Sequence, residues 1–278
     1  MSKRIVIGLE KSNYTQVALK IAVRRAKQLG SVLVGVAVVD VEDIKDSVGG
    51  APAGAIHFAE KAIEKNLTLA EERAQELIRD FESLCKQNGI SYESYIKVGN
   101  PAEEIIEEGL TADLIIVGIK THFHLEHPEV VGDTLKELLK ASVCPVMAVT
   151  EEEKLPDTVL IAYDGSVQAS NAIREYVHIS MNLPFAKKAV LLNVNDNIEE
   201  GMEALKKVED YLKLYSIETT KLVKSGKPAK VIHEVAKEIG NPLVLIGAYG
   251  HSGLTELFFG STAKEIIEDG NFPIFVYH

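Results

Sequence analysis

The sequence lacks any concentration of positive charge. It carries 41 acidic against 30 basic residues, which gives a formal net charge of −11, and its lysines and arginines form no cluster. A nucleic-acid surface or an anionic membrane patch needs concentrated positive charge, so we expect neither a nucleic acid nor a membrane as a partner. A single anionic ligand stays compatible with this composition if local backbone donors hold it.

Cysteines and long apolar runs are also scarce. The two cysteines, Cys85 and Cys144, stand in a helical pattern and at the start of an apolar strand, which favours a reducing cytosol over a disulfide framework. The apolar run in "MSKRIVIGLE" is too short for a secretory signal, and no run approaches the roughly 18 residues of a membrane span. The sequence therefore predicts a cytoplasmic protein.

An internal duplication organises the chain. Four segments recur in the same order at a nearly constant offset, which chance rarely produces. The pairs are "RIVIGLEKS" with "TVLIAYDGS", "IKVGNPAEEII" with "VKSGKPAKVIH", "ADLIIVGIK" with "NPLVLIGAY", and "CPVMAVT" with "FPIFVYH". The acidic segment 150–158 contains a proline and is interpreted as the linker, so the predicted domains span residues 1–150 and 156–278.

Each half alternates short apolar runs with amphipathic helical patterns. Runs such as "VLIAY" and "AVLLNV" are typical of strands buried on both faces. Strands that are joined by helices run parallel and have right-handed crossovers. The predicted fold class is α/β, with two doubly wound domains that each contain a five-stranded parallel sheet flanked by helices.

A long helical pattern departs from this alternation in the first half. Its apolar positions follow an alternating +4 and +3 spacing and are Ile63, Leu67, Ala70, Ala74, Leu77, Phe81 and Leu84. One interpretation is an extended crossover helix that lies on the sheet. The alternative is that its extra turns form a contact with a partner or a second copy.

Glycines and hydroxyls surround the start of a helix in the second half. In "LVLIGAYGHSGLTELFFGSTAKEII" an apolar strand ends at Gly247, Gly250 follows, and Gly260 precedes Ser261 and Thr262. Ligands of open parallel sheets bind at the carboxyl ends of the strands, where glycines permit close approach and positive φ. Unpaired N–H groups at the helix start can hold a phosphate, and the two hydroxyls add donors. Neither a Walker "GKS" or "GKT" nor a dinucleotide G-x-G-x-x-G pattern is present.

Two further residues fall at the same predicted edge of the sheet. Asp164 follows the first strand of the second half, where its carboxylate either accepts hydrogen bonds from ribose hydroxyls or an amino group, or caps the next helix. Both roles are compatible with each other. Val194 ends the second strand, where its backbone groups face a base edge and its side chain offers an apolar wall.

These residues together resemble the nucleotide-binding version of the universal stress protein family. The resemblance rests on G-x2-G-x9-G-[ST] after a buried strand, on the acidic residue after the first strand, and on "KSGKPAKVI", and it covers both halves. It implies that ATP or AMP is bound, with Asp164 near the ribose and adenine and the backbone of Val194 on the adenine; an accompanying Mg²⁺ is left open. The implied ligand-binding residues are Ala162, Asp164, Val194, Gly247, Tyr249, Gly250, Gly260, Ser261 and Thr262.

The first half departs from the family's pattern. Gly118 is present, but Thr121 replaces the second glycine, one extra residue precedes Gly132, and Asp133 replaces the hydroxyl. The first strand also ends in Glu10 rather than aspartate. At an effective dielectric constant of ~20, two unit charges 4 Å apart repel by about 4 kcal/mol, which corresponds to roughly three orders of magnitude in affinity. We therefore predict that the first domain binds ATP poorly or not at all and serves a structural role.

Three histidines form a separate candidate site in the first half. "THFHLEHPE" places His122, His124 and His127 close to Glu126, and imidazoles with a carboxylate are zinc ligands. Their spacing on a loop does not fix the direction of the ligands, and nothing supplies a closed shell. A solvated loop is the alternative, and no metal ligand is assigned.

The sequence favours binding over fast turnover. Phosphoryl transfer needs a cationic clamp, and no lysine or arginine lies beside the predicted phosphate-binding residues of segment 247–262. No catalytic residue is assigned. The leading hypothesis is a nucleotide-dependent regulatory switch in which ATP or AMP orders segment 248–259; the alternatives are a slow ATP hydrolase and a ligand-free or metal-binding interaction scaffold. The resemblance further implies that the two domains pack as a pseudo-symmetric pair through "PVMAV" and "PIFVY", with a further homodimer left open.

Overall fold

A computed structural model of the protein describes residues 3–48, 56–121, 133–152, 158–180, 187–240, 242–247 and 261–277. The chain divides into two compact units, Lys3–Val143 and Cys144–His278. The boundary between these units falls before the last strand of the first repeat, which is therefore grouped with the second unit. The domain boundary at residues 150–156 was inferred from sequence repeats and stays a prediction.

The unit Lys3–Val143 alternates parallel strands with helices. Strand β1 pairs with β2 and β4, and β2 pairs with β3, all in parallel, so the strand order is β3-β2-β1-β4. The elements are β1 (Arg4–Leu9), α1 (Asn13–Leu29), β2 (Val32–Val39), α2 (Val41–Ser47), α3 (Ile56–Asn88), β3 (Tyr92–Val98), α4 (Pro101–Gly109), β4 (Leu114–Gly118) and α5 (Asp133–Ala141).

The unit Cys144–His278 repeats this arrangement and adds strands at one edge. Its strand order is β5-β10-β9-β6-β7-β8, and β6 to β10 are mutually parallel. The elements are β5 (Val146–Val149), β6 (Thr158–Ala162), α6 (Val167–Ser180), β7 (Lys188–Val194), α7 (Ile198–Lys213), β8 (Glu218–Lys224), α8 (Pro228–Ile239), β9 (Leu243–Gly247), α9 (Ser261–Asp269) and β10 (Ile274–Tyr277).

The two final strands of the repeats pair with each other. Strand β5 runs antiparallel to β10, with Met147 opposite Phe275 and Ala148 opposite Ile274. All four residues are buried. The sequence placed both strands at sheet edges, and the resemblance implied packing through them. In the structure β5 covers one edge of β10, which removes one unpaired row of backbone donors and acceptors.

The apolar runs form the buried strands, and local signals set the helix ends. Every residue of β4 and β5 is buried. Helix α1 begins after Ser12, whose side chain accepts from the backbone N–H of Thr15, and ends at Gly30, whose φ of 64° is left-handed. Helix α4 begins at Pro101 after the cap Asn100, where a missing N–H costs nothing.

Helix α3 is a 33-residue crossover whose C-terminal half packs on the first sheet. Ala70, Ala74 and Phe81 are buried, as the apolar seam predicted. A Cβ on Gly35 of β2 would lie 2.6 Å from the Phe81 ring, so the glycine makes room for that ring. The interpretation as a crossover helix describes this half, while a partner contact through the earlier turns stays an open alternative.

The fold class predicted from the sequence is confirmed, because both units are doubly wound α/β structures with parallel sheets. In each unit the second and third strands lie on one side of the first strand, and the fourth strand lies on its other side. The strand order therefore reverses between β1 and β4 in one unit and between β6 and β9 in the other. Such switch points form crevices at the carboxyl ends of the strands, where ligands of this fold class bind.

Candidate functional site

A cavity of about 260 Å³ lies at the carboxyl ends of β6, β7 and β9 in the unit Cys144–His278. This volume is close to the lower end of the roughly 300–1,000 Å³ that is typical of small-molecule sites. Its lining residues are Ala162, Tyr163, Asp164, Ser166, Gln168, Ala169, Leu192, Val194, Pro228, Ile232, Ile246, Gly247, Ser261, Thr262 and Ala263. The cavity thus occupies the switch point of the second sheet.

The structure brings together the predicted site residues that it describes. They come from the ends of three strands and the start of one helix, and they are Ala162, Asp164, Val194, Gly247, Ser261 and Thr262. Tyr249, Gly250 and Gly260 lie outside the described residues. Residues that are up to 100 positions apart in the sequence therefore share one cavity, whereas their role toward a ligand stays a prediction.

Asp164 presents an exposed carboxylate beside the cavity. Its Oδ1 accepts the backbone N–H of Ser166 at 2.9 Å, which closes a short turn. Ser166 caps α6, because its Oγ accepts the N–H of Ala169 at 3.1 Å. The suggestion that Asp164 itself caps α6 is therefore wrong, and its second carboxylate oxygen makes no hydrogen bond within the described parts of the chain.

Gly247 is required by close packing rather than by an unusual backbone conformation. Its φ lies outside the left-handed region that was expected for it. A Cβ at this position would lie 2.7 Å from the carbonyl carbon of Gln168 and in still closer contact with the backbone of Ala169. The glycine thus lets the first turn of α6 approach the end of β9, and that turn forms one wall of the cavity.

Asn193 fixes the wall formed by β6 and β7. This residue is 5% exposed, and its Nδ2 donates to the backbone carbonyl of Tyr163 at 2.7 Å. The N–H of Tyr163 in turn donates to the carbonyl of Leu192 at 2.9 Å, which extends the strand pairing beyond β6. Asn193 Oδ1 has no hydrogen-bond partner among the described residues. The side chain therefore holds the backbone of Tyr163, a lining residue, in place.

Helix starts surround the cavity on several sides. Residues of the first turns of α6, α8 and α9 line it, including Ala169, Pro228 and Thr262. The cap position of α8, Lys227, provides no side-chain hydrogen bond to the helix. Unpaired N–H groups and the positive ends of helix dipoles favour an anion at such places.

Charge in the lining comes from one residue. Asp164 is the only ionisable carboxylate among the described lining residues, and these residues include no lysine, arginine or histidine. An anionic ligand would therefore be held by backbone N–H groups and hydroxyls. It would also keep its negative groups away from Asp164, because like charges at contact distance repel strongly.

Comparison with known proteins assigns the family. The model of the universal stress protein family matches residues 1–150 and 177–278. These two segments cover most of the chain, and the second begins within α6 of the second repeat.

This chain belongs to the universal stress protein family.

Individual relatives agree with this assignment. Universal stress protein MJ0531 of Methanocaldococcus jannaschii is 33% identical over 78 residues, which are 28% of this chain and 46% of that protein, so the match spans less than half of the relative. Universal stress protein YxiE of Bacillus subtilis is 23% identical over 142 residues, 42% of this chain and 96% of that protein. A universal stress protein from Archaeoglobus fulgidus shares the fold, with 20% identity, a TM-score of 0.69, and coverage of 98% of this chain and 97% of that chain.

The first repeat of this universal stress protein treats its acidic residue differently. Glu10, the counterpart of Asp164, is only 5% exposed. Its Oε1 accepts the hydroxyl of Ser12 at 2.9 Å, and Ser12 also caps α1. The Glu10 carboxylate is therefore buried and hydrogen-bonded to Ser12, whereas the Asp164 carboxylate is exposed.

The first-repeat segment that corresponds to the predicted phosphate-binding segment 247–262 is only partly described. A Cβ on Gly118 would collide with Cβ of Tyr14, so this glycine admits the first turn of α1 as Gly247 admits that of α6. Thr121 is 2% exposed. Gly132 lies outside the described residues, and Asp133 begins α5. The predicted loss of nucleotide binding in this repeat stays a prediction.

The described part of the chain holds neither a metal cluster nor a spanning helix. It contains no group of three or more histidine, cysteine, aspartate or glutamate side chains arranged to hold a metal ion. Its helices include none with the length and apolar character to cross a membrane. The histidine loop at His122, His124 and His127 lies outside the described residues.

Sequence reasoning missed several residues of the cavity in this universal stress protein. Tyr163 and Leu192 are neighbours of predicted residues at strand ends, so their positions were a usable signal. Ile232 and Pro228 belong to the "KPAKVI" segment, whose resemblance was noted without assigning residues. Asn193 carried no signal of its own, because its partner Tyr163 follows the neighbouring strand β6 and is 30 residues away in the sequence.

Proposed function

We propose that this universal stress protein binds an adenine nucleotide, ATP or AMP, in the cavity of its second repeat and acts as a nucleotide-dependent switch in the stress response. The observation that supports this most is the gathering of six residues predicted from the sequence around one cavity at the switch point. These residues are Ala162, Asp164, Val194, Gly247, Ser261 and Thr262.

The charges around the cavity suggest how the nucleotide lies. Its phosphates would contact the start of α9, where Ser261 and Thr262 supply hydroxyls and unpaired N–H groups. The ribose would lie near Asp164, whose carboxylate accepts hydrogen bonds from hydroxyls and repels phosphates. The adenine would then rest against Leu192 and Val194 at the end of β7. This orientation separates the one carboxylate from the negative groups of the ligand.

The proposal assigns binding rather than fast hydrolysis. Phosphoryl transfer needs positive groups on the transferred phosphate, and the described lining residues supply no lysine or arginine. A Mg²⁺ that accompanies ATP would be held by the phosphates and water, because Asp164 is the only described lining carboxylate and lies at the ribose end.

A switch requires that the nucleotide prefers one conformation of the protein over another. The ligand would touch β6, β7 and the start of α9 together, so its affinity depends on how these elements are arranged. The second domain would be the sensor and the first domain, whose Glu10 carboxylate is buried, its structural partner. Packing of the two domains as a pseudo-symmetric pair, a further homodimer and a cytoplasmic location belong to the same proposal.

Exchanging one residue between the repeats tests the location of the site. Ser261→Asp places at the start of α9 the residue that stands at the start of α5, where Asp133 begins the helix. Aspartate is favourable at a helix N-terminus, so folding is expected to persist. Repulsion from the phosphates should lower the affinity for ATP by about three orders of magnitude in isothermal titration.

The reverse exchange is the matched control. Asp133→Ser changes the same kind of position in the first repeat and should leave the affinity for ATP and its stoichiometry of one per chain unchanged. Tighter ATP binding in Asp133→Ser together with unchanged binding in Ser261→Asp would place the nucleotide in the first repeat and contradict the proposal.

A further inference from the structure

A second cavity lies between helices α6 and α7. It has a volume of about 180 Å³ and belongs wholly to the unit Cys144–His278. Tyr163 lines both this cavity and the larger one, and the other lining residues differ. The two cavities are therefore neighbours with separate walls apart from one side chain.

Apolar and aromatic side chains form most of the second cavity. Ile173 on α6 is 3% exposed and Val208 on α7 is 6% exposed, so they form a fixed apolar floor. Tyr163 and Tyr211 add two phenol rings. The Tyr163 hydroxyl lies 3.3 Å from the hydroxyl of Ser170, which holds the ring in place. Such walls favour the flat, apolar part of a small ligand.

Two cations stand at the rim of this cavity. Arg174 and Lys207 line it from α6 and α7, and the described lining residues include no carboxylate. The neighbouring lysine, Lys206, forms ion pairs with Asp210 and Glu209. No such carboxylate partner is found for Lys207 among the described residues, and the Arg174 guanidinium donates to the amide oxygen of Asn171. In a chain with a net charge of −11, two cations that face one cavity without a carboxylate favour an anion there.

The phenol of Tyr211 is suited to the same ligand. Burial raises the pKa of Tyr211 to about 12, and the neighbouring Tyr215 acts in the same direction. A hydrogen bond with Tyr215 already engages this hydroxyl, so Tyr211 offers the cavity its ring. Glu175 also lies close enough to raise this pKa, but it does not line the cavity.

We infer that the cavity between α6 and α7 is a second binding site, separate from the nucleotide site, for a small aromatic carboxylate. The carboxylate of the ligand meets Arg174 and Lys207, and its ring lies against Ile173, Val208 and the phenols. A polyphosphate fits less well, because only two cations are present and the remaining walls are largely apolar. This inference does not depend on nucleotide binding in the larger cavity.

Methyl NMR separates the two cavities directly. Benzoate is titrated into the full-length protein with ¹³C-labelled isoleucine and valine methyl groups, and the shifts are followed at two pairs of residues. Ile173 and Val208 report on the second cavity, whereas Ile232 and Ile246 report on the larger one. We expect saturable shifts at Ile173 and Val208. Shifts confined to Ile232 and Ile246 would overturn the inference. So would the absence of any shift at benzoate concentrations up to about 10 mM, which is tenfold above a millimolar dissociation constant.

Two lysine variants with the same charge change test the role of the cations. Lys207→Met should weaken benzoate binding by about tenfold, because it removes a charge-assisted contact. Lys206→Met, one position away and already paired with Asp210, should leave the affinity within about twofold of the unchanged protein. Both lysines are exposed, so both variants are expected to fold. Benzyl alcohol, the neutral analogue, should bind more weakly than benzoate; equal effects of the two variants, or equal affinity of the alcohol, would contradict the inference.

Discussion

Asn193 and Tyr163 are joined by a half-buried hydrogen bond, in which Asn193 Nδ2 donates to the Tyr163 carbonyl oxygen at 2.7 Å. The bond ties the end of β7 to the residue that follows β6. In the first repeat, the strand register places Ala37 at the corresponding position, so this tie has no counterpart there. The second repeat therefore holds its cavity wall by a polar contact that the first repeat lacks.

Removing this tie should weaken both the fold and the ligand site. Asn193→Ala leaves the half-buried Tyr163 carbonyl without its side-chain donor, which costs about 1 kcal/mol in the free energy of unfolding. The affinity for ATP should fall as well, since the cavity wall is released. Asn195→Ala is the control, because Asn195 only accepts the N–H of Asn197 at 2.9 Å and does not line the cavity. Urea unfolding and calorimetric titration measure the two effects; unchanged stability and affinity in Asn193→Ala would contradict this role.

A methyl group on Gly247 should be costly in two ways. Gly247→Ala forces the first turn of α6 away from β9, and overpacking of this kind costs about 1–3 kcal/mol in stability. Because the displaced turn lines the cavity, ATP affinity should also fall.

The corresponding glycine of the first repeat gives a matched comparison. Gly118→Ala creates a similar collision with Tyr14 and should lower the free energy of unfolding by a similar amount. It should nevertheless leave ATP affinity unchanged, because the site is proposed in the other repeat. Thermal unfolding and titration of both variants decide the matter, and an equal loss of ATP binding in the two would count against the account.

The charge of Asp164 should matter to the ligand more than to the fold. Asp164→Asn keeps a side-chain oxygen that is able to accept the N–H of Ser166, so the turn before α6 is retained. The hydrogen bonds to ribose hydroxyls would lose their ionic character, and ATP affinity should fall about tenfold. Asp196→Asn makes the same charge change outside the cavity, at a residue that accepts the hydroxyl of Ser225, and should have little effect. An equal effect of both substitutions would indicate general electrostatics rather than a contact.

Cys85 predicts a dependence of stability on alkaline pH. Burial raises the pKa of this thiol from 9.0 to about 11, and the charge of Glu82 acts in the same direction. The unfolded chain loses its proton first, so the contribution of Cys85 to stability is full below pH 9 and is lost as the pH rises toward 11. Cys85→Val should therefore show a flatter decline of the free energy of unfolding between pH 9 and 11 in urea titrations. Parallel curves for the two proteins would contradict the assignment.

The sequence predicted the parts of this structure that repeat or that end a strand. Apolar runs revealed the buried strands, and the ends of those runs placed Asp164, Val194 and Gly247 at one sheet edge. What it did not reveal depends on contacts across the fold. The helix turn packed against Gly247 and the bond from Asn193 to Tyr163 each join residues that are distant in the chain. The resemblance implied packing through β5 and β10, but not the antiparallel register in which they pair.

Local sequence also left the role of the capping residue open. Asp164 and Ser166 are both good cap residues, and only the register of α6 decides between them. The structure begins α6 at Val167 and so assigns the cap to Ser166. Because Ser166 is the cap, the Asp164 carboxylate is not used at the N-terminus of α6 and lines the cavity instead.

A crystal structure of the full chain, from crystals grown in the presence of AMP, tests the central claim most directly. The account predicts one nucleotide per chain, with its phosphate at the N–H groups that begin α9 beside Ser261 and Thr262 and its ribose hydroxyls within hydrogen-bond distance of Asp164. AMP bound at the Gly118 end of the first repeat, with the cavity beside Gly247 empty, would contradict it.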